Sequence, residues 1–231
     1  VKLVAAYDIN KAVLTQFTKD HAEISACENI EQLLDSVDAI YVATPHNTHY
    51  GLIKKCLDAE KHVLCETPMV LNGDEARECF ELAERKGVIL MEANKTAHCP
   101  AFNHLMVMIK SGVIGEVVDV EASESKLWSD NLTLREFDPS QAGGSLFELG
   151  SYTLLPIIKL MGTNYQDLNL YSRMKDGVDM YTKGILRYEH AICSFKVGLG
   201  VKTEGTLVIS GTKGYAYVPA PWWKTDYFEI R

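Results

Sequence analysis

The sequence predicts an α/β chain: a parallel sheet covered by helices on both faces up to about residue 97, followed by an α+β region with a largely antiparallel, open-faced sheet. Three observations carry this. Up to residue 95, short unbroken apolar runs alternate with amphipathic stretches, the pattern of a sheet buried on both sides. From Asn169 onward, strand-like runs follow one another across short turns such as Glu189-His190, which favours antiparallel pairing. Between the two patterns lie two helical stretches and an irregular polar segment from Trp128 to Gln141.

Taken in order, Lys2 to Tyr7 (KLVAAY) reads as a strand stopped by Asp8. Ala12, Val13, Leu14 and Phe17 then fall at helical spacing, with Asn10 as N-cap of a helix running to Asp20. A short strand near Ile24 leads to a helical turn at Ile30 to Leu34. Ala39 to Ala43 (AIYVA) is a continuous apolar run ended by Thr44-Pro45, with a helix from Thr48 to Leu57. His62 to Cys65 repeats the strand pattern. A helix from Met69 to Arg85 has Asn72 or Gly73 near its cap and Gly87 past its end, and Val88 to Met91 is a further strand. Beyond residue 97 come a helix at Pro100 to Lys110, a strand at Val117 to Ala122 and a helix at Ser145 to Leu160 opened by Gly143-Gly144. Strands are expected at Asn169 to Arg173, Thr182 to Tyr188, Ala191 to Val197, Thr206 to Ser210 and Tyr215 to Val218. Ligands of parallel sheets bind beyond the carboxyl ends of the strands, which selects Asp8, Thr44 to His49, Glu66 to Pro68 and Glu92 to Thr96 for chemistry.

Composition narrows the partners. The 231 residues carry 23 Lys+Arg against 31 Asp+Glu, a net charge of −8, with 47% apolar residues. An acidic chain without a basic run offers no footprint for nucleic acid or an anionic membrane surface, so a small molecule is the expected partner. No apolar run reaches membrane-spanning length and the first ten residues lack signal-peptide features, so the expectation is a soluble chain. Six cysteines, Cys27, Cys56, Cys65, Cys79, Cys99 and Cys193, are scattered with neither a CxxC pair nor a cluster at zinc spacing. That pattern points to buried thiols in the cytoplasm and to no metal site.

Several motifs go beyond spacing: Ala43-Thr44-Pro45-His46-Asn47-Thr48-His49, Cys65-Glu66-Thr67-Pro68, Met91-Glu92-Ala93, Lys110 to Gly115 (KSGVIG), Gly143 to Gly150 (GGSLFELG) and Ile209 to Gly214 (ISGTKG). In this order, across essentially the whole chain, they resemble the glucose-fructose oxidoreductase / inositol dehydrogenase family, Gfo/Idh/MocA. Tyr152 places the likeness nearest the dihydrodiol-dehydrogenase-like branch. The resemblance implies a Rossmann-type dinucleotide-binding domain over 1–97 and a substrate-binding and oligomerisation domain over 98–231. Family members open with a strand and a Gly-rich phosphate-binding turn, and no G-x-G-x-x-G precedes Asp8, so the sequence is expected to start at the family's second strand. It is likewise expected to stop short of the family's C-terminal end.

The resemblance also implies hydride transfer between a nicotinamide and a hydroxyl- or carbonyl-bearing carbon of a sugar, inositol or related polyol, in a homodimer or homotetramer. Asp8, at the end of a strand, would accept hydrogen bonds from the adenosine ribose and repel a 2′-phosphate, favouring NAD over NADP; otherwise it is a surface Asp closing a strand. Thr44, Pro45, His46 and Asn47 would lie against the dinucleotide, or form only a strand-to-helix turn; His49 is a cofactor contact or a capping residue. Glu66 and Thr67 occupy the family's Glu-Lys-Pro motif, with Thr67 in place of lysine. A threonine hydroxyl hydrogen-bonds a sugar but supplies neither a titrating acid or base nor a positive charge. Lys95 is a substitute or a solvated loop lysine. Tyr152 would handle the proton, or simply face the core. Glu148 shares a helical face with Tyr152 at i, i+4 spacing and would bind substrate or orient Tyr152, or be an exposed helix charge. Trp128 and Arg135 suit a polyol ring or are plain loop residues, and Trp222 and Trp223 are expected in sheet or subunit packing. The rival reading is a homologue that binds nucleotide or sugar without turnover, as a sensor or assembly subunit, for which Thr67 speaks.

Overall fold

A computed structural model describes residues 1–127 and 135–231, which form two compact units: 1–44 with 48–93, and 45–47 with 94–231.

The first unit contains β1 (Ala5–Ala6), α1 (Lys11–Asp20), β2 (Ser25–Ala26), α2 (Ile30–Ser36), β3 (Ala39–Val42), the body of α3 (His46–Asp58), β4 (His62–Cys65), α4 (Gly73–Lys86) and β5 (Leu90–Glu92). All its strands pair in parallel, β1 with β2 and β3-β4-β5 in register, as separate sheets. The caps follow the chemistry of their residues. Asn10 accepts from the amides of Ala12 and Val13, Asn72 from Glu75, and Gly87 ends α4 in the left-handed region at φ 68°. The core gathers Ile40, Val42, Ile53, Leu57, Val63 and Cys65 from strands and helices alike.

Boundaries move where burial was not local. β1 covers two residues rather than the six of KLVAAY, and Lys2 and Leu3 are exposed. The Met69–Leu71 stretch is irregular and α4 begins only after Asn72. α3 begins two residues earlier than its apolar pattern suggests.

The second unit follows β5 with a short 3-10 turn (Lys95–His98), α5 (Pro100–Lys110), β6 (Val117–Lys126), α6 (Ser145–Met161), β7 (Asp167–Lys175), β8 (Val178–Arg187), β9 (Ile192–Leu199), β10 (Leu207–Gly211), β11 (Gly214–Val218) and β12 (Glu229–Ile230). Its seven-stranded sheet has the order β12-β11-β10-β6-β9-β8-β7 and is antiparallel except for the central pair β6-β9, which is parallel. α6 intervenes between β6 and the meander β7-β8-β9, so the chain re-enters the sheet at its far edge, as β7, and works back until β9 lies beside β6 in the same direction. Alternate residues of the inner strands, Val120 and Ala122 on β6 and Cys193, Phe195 and Val197 on β9, pack with Phe102, Leu105, Leu149 and Ile157 of α5 and α6. β7, at the edge, is exposed throughout. Trp222 is fully buried in this core, its indole N–H donating to the Ser123 carbonyl at 3.0 Å.

No helix among the described residues is long and apolar enough to cross a membrane.

Candidate active site

In the first unit the candidate residues sit on the turns that leave β1, β3 and β4. Asp8 is half-buried after β1, and one of its carboxylate oxygens accepts the Asn10 amide at 2.7 Å. After β3, the Thr44 and Thr48 hydroxyls are 2.7 Å apart. The His49 ring is fully buried, with Nε2 2.8 Å from the Thr44 carbonyl oxygen and Nδ1 2.9 Å from that of Pro68. An imidazole committed to two backbone carbonyls braces the two turns against each other. The turn after β4 is held from several sides: the Tyr41 hydroxyl donates to Glu66 Oε1, and Glu92 at the end of β5 accepts the Met69 amide at 3.0 Å. Thr67 stays half-buried on that turn.

The Pro45–Asn47 turn belongs to the second unit, so the TPHN motif divides after Thr44. The Asn47 amide donates to the Ser140 carbonyl at 3.0 Å. His46 is buried, with Nδ1 3.2 Å from the Ala142 carbonyl oxygen and Nε2 3.0 Å from an Arg135 guanidinium nitrogen. A carbonyl only accepts, so the ring proton belongs on Nδ1 and Nε2 accepts from Arg135. Arg135 also forks onto Glu148, at 2.8 Å to Oε1 and 3.4 Å to Oε2, and Glu148 Oε1 lies 3.5 Å from His46. Glu148 is buried, which removes its reading as an exposed helix charge. Burial pushes its carboxyl above the usual range, and the Arg135 charge opposes that rise without cancelling it.

The start of α6 positions this group. Gly144 has φ 119°, and a Cβ there would fall 2.2 Å from Asp179 Oδ1; a Cβ on Gly143 would meet the Glu136 carbonyl oxygen at 2.6 Å. Asp179, on β8, caps the helix: its Oδ2 accepts from the Ser145 hydroxyl at 2.6 Å and the Leu146 amide at 2.9 Å. Sequence reading missed this cap because it comes from 34 residues along the chain. One turn past Glu148, Tyr152 is half-buried against the apolar core. The Asn94 amide donates to the carbonyl of the preceding Ser151 at 3.2 Å, and Lys95 is exposed at the start of the 3-10 turn.

A second missed residue is Glu124, buried on β6 and raised by burial to about 7. Its sequence signal is a lone carboxylate in the Val120-Ala122-Glu124 alternation. Trp128 lies outside the described residues. A separate depression of about 730 Å³, lined by Asp119, Glu121, Lys183, Arg187 and Ser194, holds none of these residues. No group of His, Cys, Asp and Glu among the described residues could hold a metal ion.

Comparison with known proteins settles the family. Residues 1–94 match the oxidoreductase family profile with an NAD-binding Rossmann fold, GFO/IDH/MocA, and residues 102–217 match the C-terminal domain of the same family. The chain belongs to the Gfo/Idh/MocA oxidoreductase family. Among curated relatives of this Gfo/Idh/MocA chain, the trans-1,2-dihydrobenzene-1,2-diol dehydrogenase of Bos taurus is 34% identical over 238 residues, spanning 100% of this chain and 69% of the relative. The scyllo-inositol 2-dehydrogenase (NADP(+)) IolU of Bacillus subtilis is 30% identical over 197 residues, 81% of this chain and 59% of that protein. Among solved structures, the 3-ketoreductase KijD10 of Actinomadura kijaniata, in complex with NADP and TDP-benzene, superposes with TM-score 0.84 at 23% identity over 100% of this chain and 75% of that one. Levoglucosan dehydrogenase, in complex with NADH and levoglucosan, gives TM-score 0.84 at 18% identity over 99% and 70%. These last two likenesses speak for the fold.

The donor set of this Gfo/Idh/MocA chain suits a dinucleotide. Asp8, half-buried after β1 with one carboxylate oxygen in its own turn, would accept ribose hydroxyls, and the Thr44 and Glu66–Thr67 turns leave the carboxyl ends of parallel strands.

Proposed function

We propose that the protein is an oxidoreductase that takes NAD in preference to NADP and transfers a hydride between the nicotinamide and a CH–OH or C=O carbon of a sugar, inositol or related polyol. The observation that carries this reading is α6, where a buried Glu148, bridged by Arg135 to His46, stands one turn before Tyr152. When bound, the nicotinamide supplies hydride exchange at its C4 position. Asp8 holds the ribose hydroxyls by accepting their hydrogen bonds and turns away a 2′-phosphate by its charge. Thr44, Glu66 and Thr67 line the dinucleotide, with His49 keeping their turns in place. Tyr152 takes the substrate hydroxyl proton on oxidation and returns it on reduction, with Lys95 supplying positive charge on the same unit. Glu148 and Arg135 orient the substrate and the start of α6. A homodimer or homotetramer in the cytoplasm is part of the same reading.

A second reading rests on Thr67. With no ionisable group at that position, the chain would be a nucleotide- or sugar-binding homologue without turnover. One experiment separates the two. The full-length protein is titrated calorimetrically with NAD and with NADP, then incubated with polyols and ketoses while absorbance at 340 nm is followed. Micromolar NAD binding, weakened at least tenfold by Asp8→Ala, together with a change at 340 nm supports the enzyme. Binding without turnover supports the second reading, and absence of binding to either dinucleotide removes the enzyme and the nucleotide-binding form of the second reading.

A further inference from the structure

Two buried side-chain atoms among the described residues have no hydrogen-bond partner, Glu124 Oε2 and Asn94 Oδ1, and both belong to the second unit. Glu124 is two residues beyond Ala122 on β6, so it projects to the same face as Val120 and Ala122, where the pattern calls for an apolar side chain. It is 3% exposed. Asn94 is 4% exposed, and donation by its Nδ2 to the Ser151 carbonyl fixes the amide orientation, leaving Oδ1 as an acceptor with no donor.

Burying an unpaired acceptor is costly, and an unpaired carboxylate more so, so such groups persist where something else completes them. Their neighbours indicate what that is. Lys95, the residue after Asn94, and Lys126 are the charges that act on Glu124, and Lys126 acts on Glu148 as well. Ser151, which takes the Asn94 amide, precedes Tyr152. The two orphaned acceptors are thus tied to the residues that would handle substrate. Both lack a donor and neither offers a positive charge, which suits hydroxyl groups and excludes phosphates or carboxylates at these atoms.

We propose that Glu124 is a specificity-determining residue of the polyol site, its carboxylate accepting one substrate hydroxyl while Asn94 Oδ1 accepts another, so that the site selects ligands with at least two hydroxyls. The inference rests on the polyol reading of the second unit. Its test must separate recognition of hydroxyls from a role in holding the fold. Glu124→Gln keeps the shape and removes the charge, while Glu124→Leu restores the apolar pattern of β6.

In the full-length protein with dinucleotide present, binding and turnover of myo-inositol and glucose are compared with those of cyclohexanol, a single-hydroxyl control. Glu124→Leu is expected to raise the melting temperature by about 2–4 °C by removing a buried carboxyl group with an unpaired oxygen. Both variants are expected to weaken polyol binding at least tenfold, with dinucleotide affinity and any response to cyclohexanol unchanged. A lowered melting temperature in Glu124→Leu, or unchanged polyol affinity in both variants, overturns the inference. If the parent turns over polyols and the variants do so equally, the inference falls alone. Polyol binding that depends on Glu124 without turnover keeps the inference and removes the oxidoreductase reading. A parent that neither binds nor turns over these polyols removes both.

Discussion

At the scale of single residues, the chemistry of the second unit is set by charges taken out of water. Glu148 keeps its place because Arg135 forks onto it and His46 closes the other side of the guanidinium. Arg135→Leu would strand that carboxylate, a change expected to cost about 2–3 kcal/mol, toward the low end for a broken buried pair because Arg135 is partly exposed. Urea unfolding should show the double variant Arg135→Leu/Glu148→Gln recovering much of the loss; no recovery would mean that the pair does not act as a unit. Glu124 behaves oppositely, since only the charges of Lys126 and Lys95 offset its burial. Its folded-state value of about 7 stands above the usual 4.5, so the native state holds the proton more tightly than the unfolded chain. Stability is therefore greatest below the ordinary carboxylate value and falls as pH rises from there to about 7, by roughly 3 kcal/mol at most. Melting curves of Glu124→Gln between pH 5 and 8 should lack that decline. Glu148 and Tyr152 were legible as one helical face. Arg135 and His46 were legible as residues but not as partners of Glu148, because His46 lies 89 residues from Arg135 and the 13 residues between Arg135 and Glu148 belong to no single periodic element.

At the scale of elements, α6 depends on a neighbour for its first turn. Asp179 reaches it from β8 and satisfies an amide that the glycine N-cap, having no side chain, leaves open. Asp179→Ala is expected to destabilise the protein by about 1–2 kcal/mol in urea titrations, with Asp179→Asn recovering part of it. Gly144→Ala should cost at least as much, because its Cβ would meet Asp179 and its φ of 119° disfavours any side chain. β6 carries a related lesson. Its apolar run ends at Ala122, yet the strand continues to Lys126, its backbone paired to β9 as far as Lys126 with Leu199 and its Ser125 hydroxyl 3.0 Å from that of Thr203. Polar residues in a strand read as loop until the partner strand is known.

At the scale of the whole molecule, each unit has its own apolar core. The first rests on two short parallel sheets and the second on seven strands. Local opening under mild denaturant is expected in the first unit before the second. Cys56, Cys65 and Cys79 are buried there, pushed up to about 11, 12 and 11, and should resist thiol reagents in the native state. With rising urea, labelling of these thiols should precede the fluorescence change of the buried Trp222; coincident transitions would show one cooperative unit.

Legible in the residues alone were the alternation of parallel strands and helices, the caps Asn10, Asn72 and Gly87, and the motif order of the Gfo/Idh/MocA family. Each of these is written within one element or one turn, over distances at which the backbone's own period decides which side chains meet. Folding of the whole chain was needed to show that Pro45–Asn47 belongs to the second unit, that β9 lies parallel to β6, that Asp179 caps α6, and that Glu124 and Asn94 are buried with an acceptor unpaired. Those facts depend on which surfaces the packed chain removes from water and which donors arrive from distant residues. Neither composition nor periodicity carries that information.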